Sequence, residues 1–418
     1  MNQEQTAALQ AVKDGKNIFL TGAGGTGKSY TINAIVAWAK EADILVAVTA
    51  MTGCAALLLN GRTLHSWAGI GLGCDSPSEL ALSIEKNTRA RSNWVSTSIL
   101  IIDEISMITP ELLEKLDLIA RRLRKEPEKA FGGLRLVLSG DFCQLPPVGS
   151  QAFAFESKIW SSLIDEVHTL TQIERQRDPT FQHILTEARL GALSLESLTI
   201  LKGRMGLDWS ASVDGIRPTL IYSRNTDVDK INRANMEALV TESRVFHVET
   251  VYKSMIVKGM DRKATDAELH RLDADAPYEP VLELKVGAQV MMIKNQPERG
   301  LMNGSRGVIT GFSPSGLPMV RFRETGACII ERASWFLPHQ NVGRSQIPLK
   351  IAYAITIHKS QGASLDSALI DIGNSIFEYG QAYVALSRVR SLEGLFIHRL
   401  QPTAIVCHPK LRAFTSKE

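Results

Sequence analysis

"NIFLTGAGGTGKSYTINAIVAWAKEA", residues 17–42, joins an uninterrupted apolar run to a glycine-rich turn and then to a helical pattern. Residues 17–21 have the length and hydrophobicity of a buried strand, while 28–42 space their apolar side chains as a helix does. A strand feeding a helix through a tight turn is half of a βαβ unit, and the arrangement recurs. A helix over 3–13 and further buried strands at "ILVAVTA" (44–50), "SILIID" (98–103), "LRLVLSG" (134–140) and "EVHTL" (166–170) alternate with helical stretches. An α/β fold with a parallel sheet covered on both faces is the expectation.

The turn itself, "GAGGTGKS" (22–29), satisfies G-x-x-x-x-G-K-S in the strand–turn–helix context that a phosphate-binding loop needs. Gly22, Gly24, Gly25 and Gly27 let the backbone N–H groups turn inward, and Thr26 completes the loop. Lys28 supplies a point charge for β- and γ-phosphates and Ser29 a hydroxyl for Mg²⁺. "SILIIDEIS" ends a second apolar strand in Asp103, which suits Mg²⁺, and Glu104, which suits a general base acting on water. ATP and Mg²⁺ are therefore the expected ligands.

The rest of the composition narrows the class. A chain of 418 residues has room for two or three domains, and 44% hydrophobic with 22% charged residues excludes wholesale disorder. The five cysteines are scattered and never spaced C-x-x-C, so neither a disulfide framework nor a zinc knuckle is supported. The first residues lack a signal core or transit pattern, and no apolar run approaches about 18 residues, so a cytoplasmic location without membrane contact is expected. The net charge of +3 is too small to indicate nucleic acid. Between Arg299 and Lys350, however, seven basic residues face only Glu324 and Glu331, a local excess larger than that of the whole chain.

Further along, "PTLIYSRNTDVDKINRANMEAL" (218–239), "LKIAYAITIHKSQGAS", "SALIDI" and "QAYVALSRVR" repeat the strand and helix alternation, which implies a second α/β domain. Between its halves, "VGAQVMMIKN", "SRGVITGF", "MVRFRE" and "CIIERA" are short alternating runs separated by turn residues, the pattern of a small antiparallel sheet or barrel. "TPELLEKLDLIARRLRK" marks a helix start with Thr109 and Pro110, and Leu112, Leu116, Ile119 and Leu123 form its expected apolar stripe. In "GDFCQLPPVG" (140–149), Asp141 either caps a turn or reaches Mg²⁺, while Pro146 and Pro147 stiffen the end of the turn.

Joined together, "DEISMITPELLEKLDLIARRLRK" and "FGGLRLVLSGDFCQLPPVG" resemble the signature region of Pif1-type helicases of superfamily 1B. "NQEQTAAL", "VAVTAMTGCAALLLNGRTLHSWAGIGLG", "LTQIERQRD", "NGSRGVI", "AITIHKSQGASLDSALIDI" and "YVALSR" are similar to the family's further motifs, in order. The resemblance implies RecA-like domains at 1–68 with 91–170 and at 171–244 with 346–418. It also implies a wedge insertion at 69–90 and an SH3-like β-barrel insertion at 245–345, the latter facing the strand.

The resemblance further implies that Gln5 contacts adenine, that Gln144 senses the γ-phosphate, that Gly362 lies by the nucleotide and that Arg175 and Arg388 are arginine fingers. It likewise implies that Thr52, His65, Ser66, Pro146, His358 and Ser360 face DNA, while Trp67 either stacks on a base or packs in the core. The implied activity is ATP-driven 5′ to 3′ unwinding by a monomer moving on single-stranded DNA, with forked or tailed duplex as substrate and G-quadruplex or RNA–DNA hybrid as further candidates, in genome maintenance. Two other readings stay open: a RecD-type recombination or repair subunit, and a switch or clamp-loading ATPase that binds DNA without unwinding it.

Overall fold

Asn2 and Gln5 open the first helix, α1 (Gln3–Lys13), with a reciprocal capping box, each side chain bonding the other's backbone N–H. The chain then enters β1 (Ile18–Gly22), α2 (Lys28–Glu41) and β2 (Val46–Ala50), each within two residues of the sequence expectation. The computed structural model describes residues 1–71, 73–147, 149–150, 152–209, 215–252, 266–323, 325–336 and 342–415.

The next elements are α3 (Gly53–Leu58), β3 (Arg62–Thr63), α4 (Leu64–Ala68), α5 (Pro77–Lys86), α6 (Thr88–Ser96), β4 (Ile99–Asp103), α7 (Pro110–Arg124), β5 (Arg135–Gly140) and β6 (Glu166–Leu170). Among the described residues the six strands form one sheet in the order β3-β2-β4-β5-β1-β6, and every pairing is parallel. Val12, Ile18, Leu20, Ile32, Ile101 and Val137 fill the core on one face. All strands of a parallel sheet end at one edge, so the residues leaving β1, β2, β4 and β5 are gathered there.

The chain divides into two compact units: Met1–Arg175 with Glu378–Gly380 and Cys407–Glu418, and Gln176–Phe377 with Gln381–Val406. The expected span 346–418 is thus corrected at its end. Cys407 Sγ lies 4.0 Å from Cys143 Sγ, Phe414 stacks on Phe155 at 4.2 Å between ring centroids, and Lys410 pairs with Glu156, so apolar burial returns the C-terminal residues to the first unit.

Two further readings of the first unit change. The expected boundary at residue 90 falls inside α6, whose Trp94 is buried, packs on Trp67 at 4.6 Å and donates Nε1–H to Ala68 O. In α7 the core takes Leu113, Leu116, Ile119, Ala120 and Leu123, while Leu112 is half-buried beside Gly73. Arg124 does more than complement a helix dipole: its guanidinium donates to Trp94, Thr97 and Gly132 carbonyls.

In the second unit, β7 (Thr219–Tyr222) continues the numbering, followed by β8 (Ser243–His247), β9 (Glu249–Tyr252), β10 (Val281–Lys285), β11 (Gln289–Met292), β12 (Arg306–Phe312) and β13 (Pro318–Phe322). Then come β14 (Gly326–Ile329), β15 (Ala333–Phe336), β16 (Val342–Gln346), β17 (Leu349–Ile351), β18 (Ala354–Thr356), β19 (Ala368–Ile372) and β20 (Leu395–Leu400). Strands β18-β7-β19-β20 make a parallel sheet, and β14-β13-β12-β11-β17 an antiparallel one around Leu282, Val290, Met292, Ile309 and Val320. The run "LKIAYAIT" is therefore shared between two sheets, β17 pairing with β11 and β18 with β7. Residues 253–265 and 337–341 of the expected insertion, and Glu324, lie outside the described residues. Among the described residues no helix is long and apolar enough to cross a membrane.

Candidate active site

The loop after β1 is shaped by contacts that only glycine permits. At Gly22 a Cβ would lie 2.4 Å from Leu170 O, and at Gly27, where φ is +90°, it would lie 2.6 Å from Gln5 Nε2. Thr26 is fully buried and its hydroxyl donates to Ala23 O at 3.0 Å, so its side chain holds the loop's shape. Gly27 precedes α2 without a side-chain cap, which leaves the first-turn amides and the positive end of the helix dipole for an anion. Lys28 Nζ turns back on the loop and donates to Gly22 O at 2.6 Å and Ala23 O at 3.0 Å, bonds that phosphate oxygens can replace. Glu174 N–H and Arg175 N–H donate to Gly25 O at 2.9 and 3.3 Å, which ties "ERQR" to the same loop.

Two carboxylates leave β4 in opposite directions. Asp103 accepts from Ser139 Oγ on β5 at 2.7 Å. Burial pushes its carboxyl above the usual range, opposed by the Ser139 hydroxyl, the Glu104 N–H and the Lys28 charge. Glu104 sits in the left-handed region at φ +57°, ψ +42°, is 8% exposed, and accepts from Thr52 Oγ1 at 2.8 Å. Ser29 is exposed at the start of α2. Among the described residues no three His, Cys, Asp or Glu side chains cluster as a metal site. Ser29 and a desolvated Asp103 nevertheless fit Mg²⁺, a hard cation that draws most of its ligands from water and phosphate.

The segment after β5 gives Asp141 a structural task. Asp141 is buried, its Oδ1 accepts from Cys143 N–H at 3.1 Å and its carbonyl from Gln144 N–H at 2.9 Å, so it caps the turn. Gln144 is half-buried, while Pro146 and Pro147 are buried, so Pro146 is not presented to a strand. Gly380 closes on this turn, where a Cβ would lie 2.3 Å from Gln144 O.

Other expected site residues are redistributed. Gln5 is buried against Gly27, with its carbonyl oxygen engaged by Asn2 N–H. The Thr52 hydroxyl, expected on DNA, is spent on Glu104. Trp67 is 1% exposed and belongs to the core, while His65 is half-buried and Ser66 exposed. In the second unit His358 and Gly362 are exposed, but Ser360 is fully buried and donates to Ile357 O at 2.7 Å, a helix-internal bond. Arg388 is 2% exposed, with Nε donating to Val384 O and Nη2 to Ser387 Oγ.

Part of the local basic excess is paired: Arg306 and Arg323 meet Asp366, Arg344 meets Asp273 and Arg332 meets Glu249, all outside the counted segment, while Arg299 meets Glu331 within it. Ser139, which orients Asp103, was missed. Its signal was a hydroxyl closing the otherwise apolar run "LRLVLS".

A profile of the PIF1-like helicase family matches residues 1–195, and that of the Pif1 2B domain matches 269–312. The ATP-dependent DNA helicase Pif1 of a Psychrobacter species is 32% identical over 99% of this chain and 70% of its own length. The chain belongs to the PIF1-like helicase family. Human ATP-dependent DNA helicase PIF1 is 39% identical over 99% of this chain, and the chain spans 63% of the human protein's length. A Bacteroides Pif1 solved in complex with ADP-AlF4 superposes with a TM-score of 0.83 at 28% identity, covering 100% of this chain and 97% of that one. The PIF1-like match over 1–195 encloses the loop, both β4 carboxylates and the Asp141–Pro147 turn.

Proposed function

We propose that the protein is an ATP-dependent DNA helicase that moves 5′ to 3′ on single-stranded DNA and opens forked or tailed duplex in genome maintenance. The observation that carries the reading is the gathering of Lys28, Asp103 and Glu104 at one edge of a parallel sheet in a PIF1-like chain. Relatives named as ATP-dependent DNA helicases support the substrate class.

In this reading Lys28 exchanges the Gly22 and Ala23 carbonyls for β- and γ-phosphate oxygens. Glu104 takes a proton from the attacking water, and Gln144 responds to the γ-phosphate. Mg²⁺ held by Ser29 and Asp103 would neutralise charge on the phosphate oxygens. Arg175 is tied to the loop through its backbone N–H and is one candidate finger. For Arg388 to act as one, its guanidinium must leave Val384 O and Ser387 Oγ. His65, Ser66 and His358 are the strand-facing residues whose exposure suits phosphate contact. The working form is a cytoplasmic monomer.

The test is unwinding of a forked duplex carrying a 5′ tail against one carrying a 3′ tail. Unwinding of the 5′-tailed substrate alone is expected. Opening of neither sinks the helicase reading, and preference for the 3′ tail sinks the polarity.

A further inference from the structure

The two acids that end β4 are held toward opposite neighbours, and this division has a functional reading. In the sheet, β4 lies between β2 and β5, with β1 and its phosphate-binding loop beyond β5. Asp103 is bonded by Ser139 from β5, on the loop's side. Glu104 is bonded by Thr52, two residues past the end of β2, on the far side. The Glu104 backbone takes up a left-handed conformation that a glutamate adopts only at a cost of about 1–3 kcal/mol, and the Thr52 bond is part of what holds it. Ala55 N–H donates to the same Thr52 oxygen at 3.3 Å. That donation uses an acceptor site of the hydroxyl and leaves its proton for the Glu104 carboxylate.

We infer that Thr52 is a positioning residue that holds Glu104 idle, on the flank of β4 away from the nucleotide, until a DNA strand engages the β2–α3 segment and takes the hydroxyl. The inference rests on the DNA-helicase reading above and supplies a coupling it lacks. A carboxylate that accepts a hydrogen bond from a hydroxyl is a weaker base and is held in direction; losing that donor removes one restraint on its turning toward water at the γ-phosphate. Thr52 is half-buried, so a phosphate oxygen can reach its hydroxyl. The hydroxyl cannot donate to both groups at once, so strand engagement and release of the base become one event. Hydrolysis in the absence of DNA is thereby suppressed, which limits idle turnover.

The experiment is steady-state ATP turnover with and without saturating single-stranded oligonucleotide, for the wild type, Thr52→Val, Thr52→Ala and Thr52→Ser. Removing the hydroxyl is expected to raise DNA-free turnover about tenfold, equal to about 1.4 kcal/mol, and to shrink the DNA stimulation by the same factor. Thr52→Ser keeps the hydroxyl and is expected to stay within about twofold of the wild type, about 0.4 kcal/mol. A residue that merely stabilised α3 would lower both rates on removal and leave their ratio alone. Thr52→Ala removes the same group with less bulk and carries the test should the valine variant not fold. Unchanged stimulation in Thr52→Val and Thr52→Ala, or a DNA-free rate in Thr52→Ser that rises with theirs, overturns the inference. A wild type whose turnover ignores single-stranded DNA overturns the proposed function instead.

Discussion

The parallel sheets of the two units end in different ways. In the first, the strand ends carry polar groups bonded to single hydroxyls or loop carbonyls: Lys28 on two loop carbonyls, Glu104 on a threonine hydroxyl, and α2 with no side-chain cap. In the second, the polar groups near the sheet are committed to the unit's own architecture. Arg388 bonds Val384 O and Ser387 Oγ, Gln176 Nε2 bonds the Ser387 and Val389 carbonyls, and Ser360 bonds Ile357 O. Under the proposed function, the same kind of sheet thus presents exchangeable groups in one unit and fixed ones in the other. The difference lies in whether buried polar groups are matched by fixed partners or by groups a ligand can displace.

The strongest way to break that comparison is Glu104→Gln. It keeps the shape and the hydrogen bond from Thr52 but removes the base, so DNA-stimulated turnover is expected to fall by about 100-fold or more while nucleotide binding persists. Turnover close to that of the wild type removes Glu104 from the chemistry and leaves the first unit without a base at this edge.

A smaller effect separates the two arginines. Arg388→Ala empties a buried guanidinium position and is expected to cost about 3 kcal/mol of stability along with turnover, read by denaturant titration. Arg175→Ala alters a half-buried side chain and is expected to lower turnover with less than about 1 kcal/mol lost. Equal stability losses would erase the distinction between an exchangeable and a committed site.

A third effect, on stability alone, concerns Asp366, which holds Arg306 and Arg323 together in the second unit. Burial pushes its carboxyl up, but the two guanidiniums outweigh burial and hold it below the ordinary aspartate range. Its stabilisation is therefore complete above the unfolded value of about 3.9 and is lost as pH falls through the lower folded value. Asp366→Asn should melt well below the wild type at neutral pH, by about 2–3 kcal/mol, and the gap should close on acidification through that window. A gap independent of pH would assign the loss to packing.

Much of the first unit was legible from local pattern. Strand β1, the glycine loop and α2 follow from an apolar run, a phosphate-loop spacing and helical periodicity within one short stretch. The helices α5 and α6 were not read. Yet Ser76-Pro77-Ser78-Glu79 carries a visible capping box with proline at the first turn, and Asn87 caps α6. Their shortness hid the periodicity. The basic excess between Arg299 and Lys350 is smaller in space than in sequence, because charge was counted along the chain, whereas Arg306 meets an acid 60 positions away and Arg344 one 71 positions away.

Sequence alone determined which reactive groups are available, because Lys28, Ser29, Asp103 and Glu104 stand in short-range spacings that a parallel sheet brings to one edge. Strand order established how that chemistry is held. Thr52 reaches Glu104 across 52 positions because β2 neighbours β4, and Ser139 reaches Asp103 across 36 because β5 lies on its other side. Spacing along the chain cannot rank such partners, since every strand of a parallel sheet ends at the same edge and only the lateral order of the strands selects which ends touch.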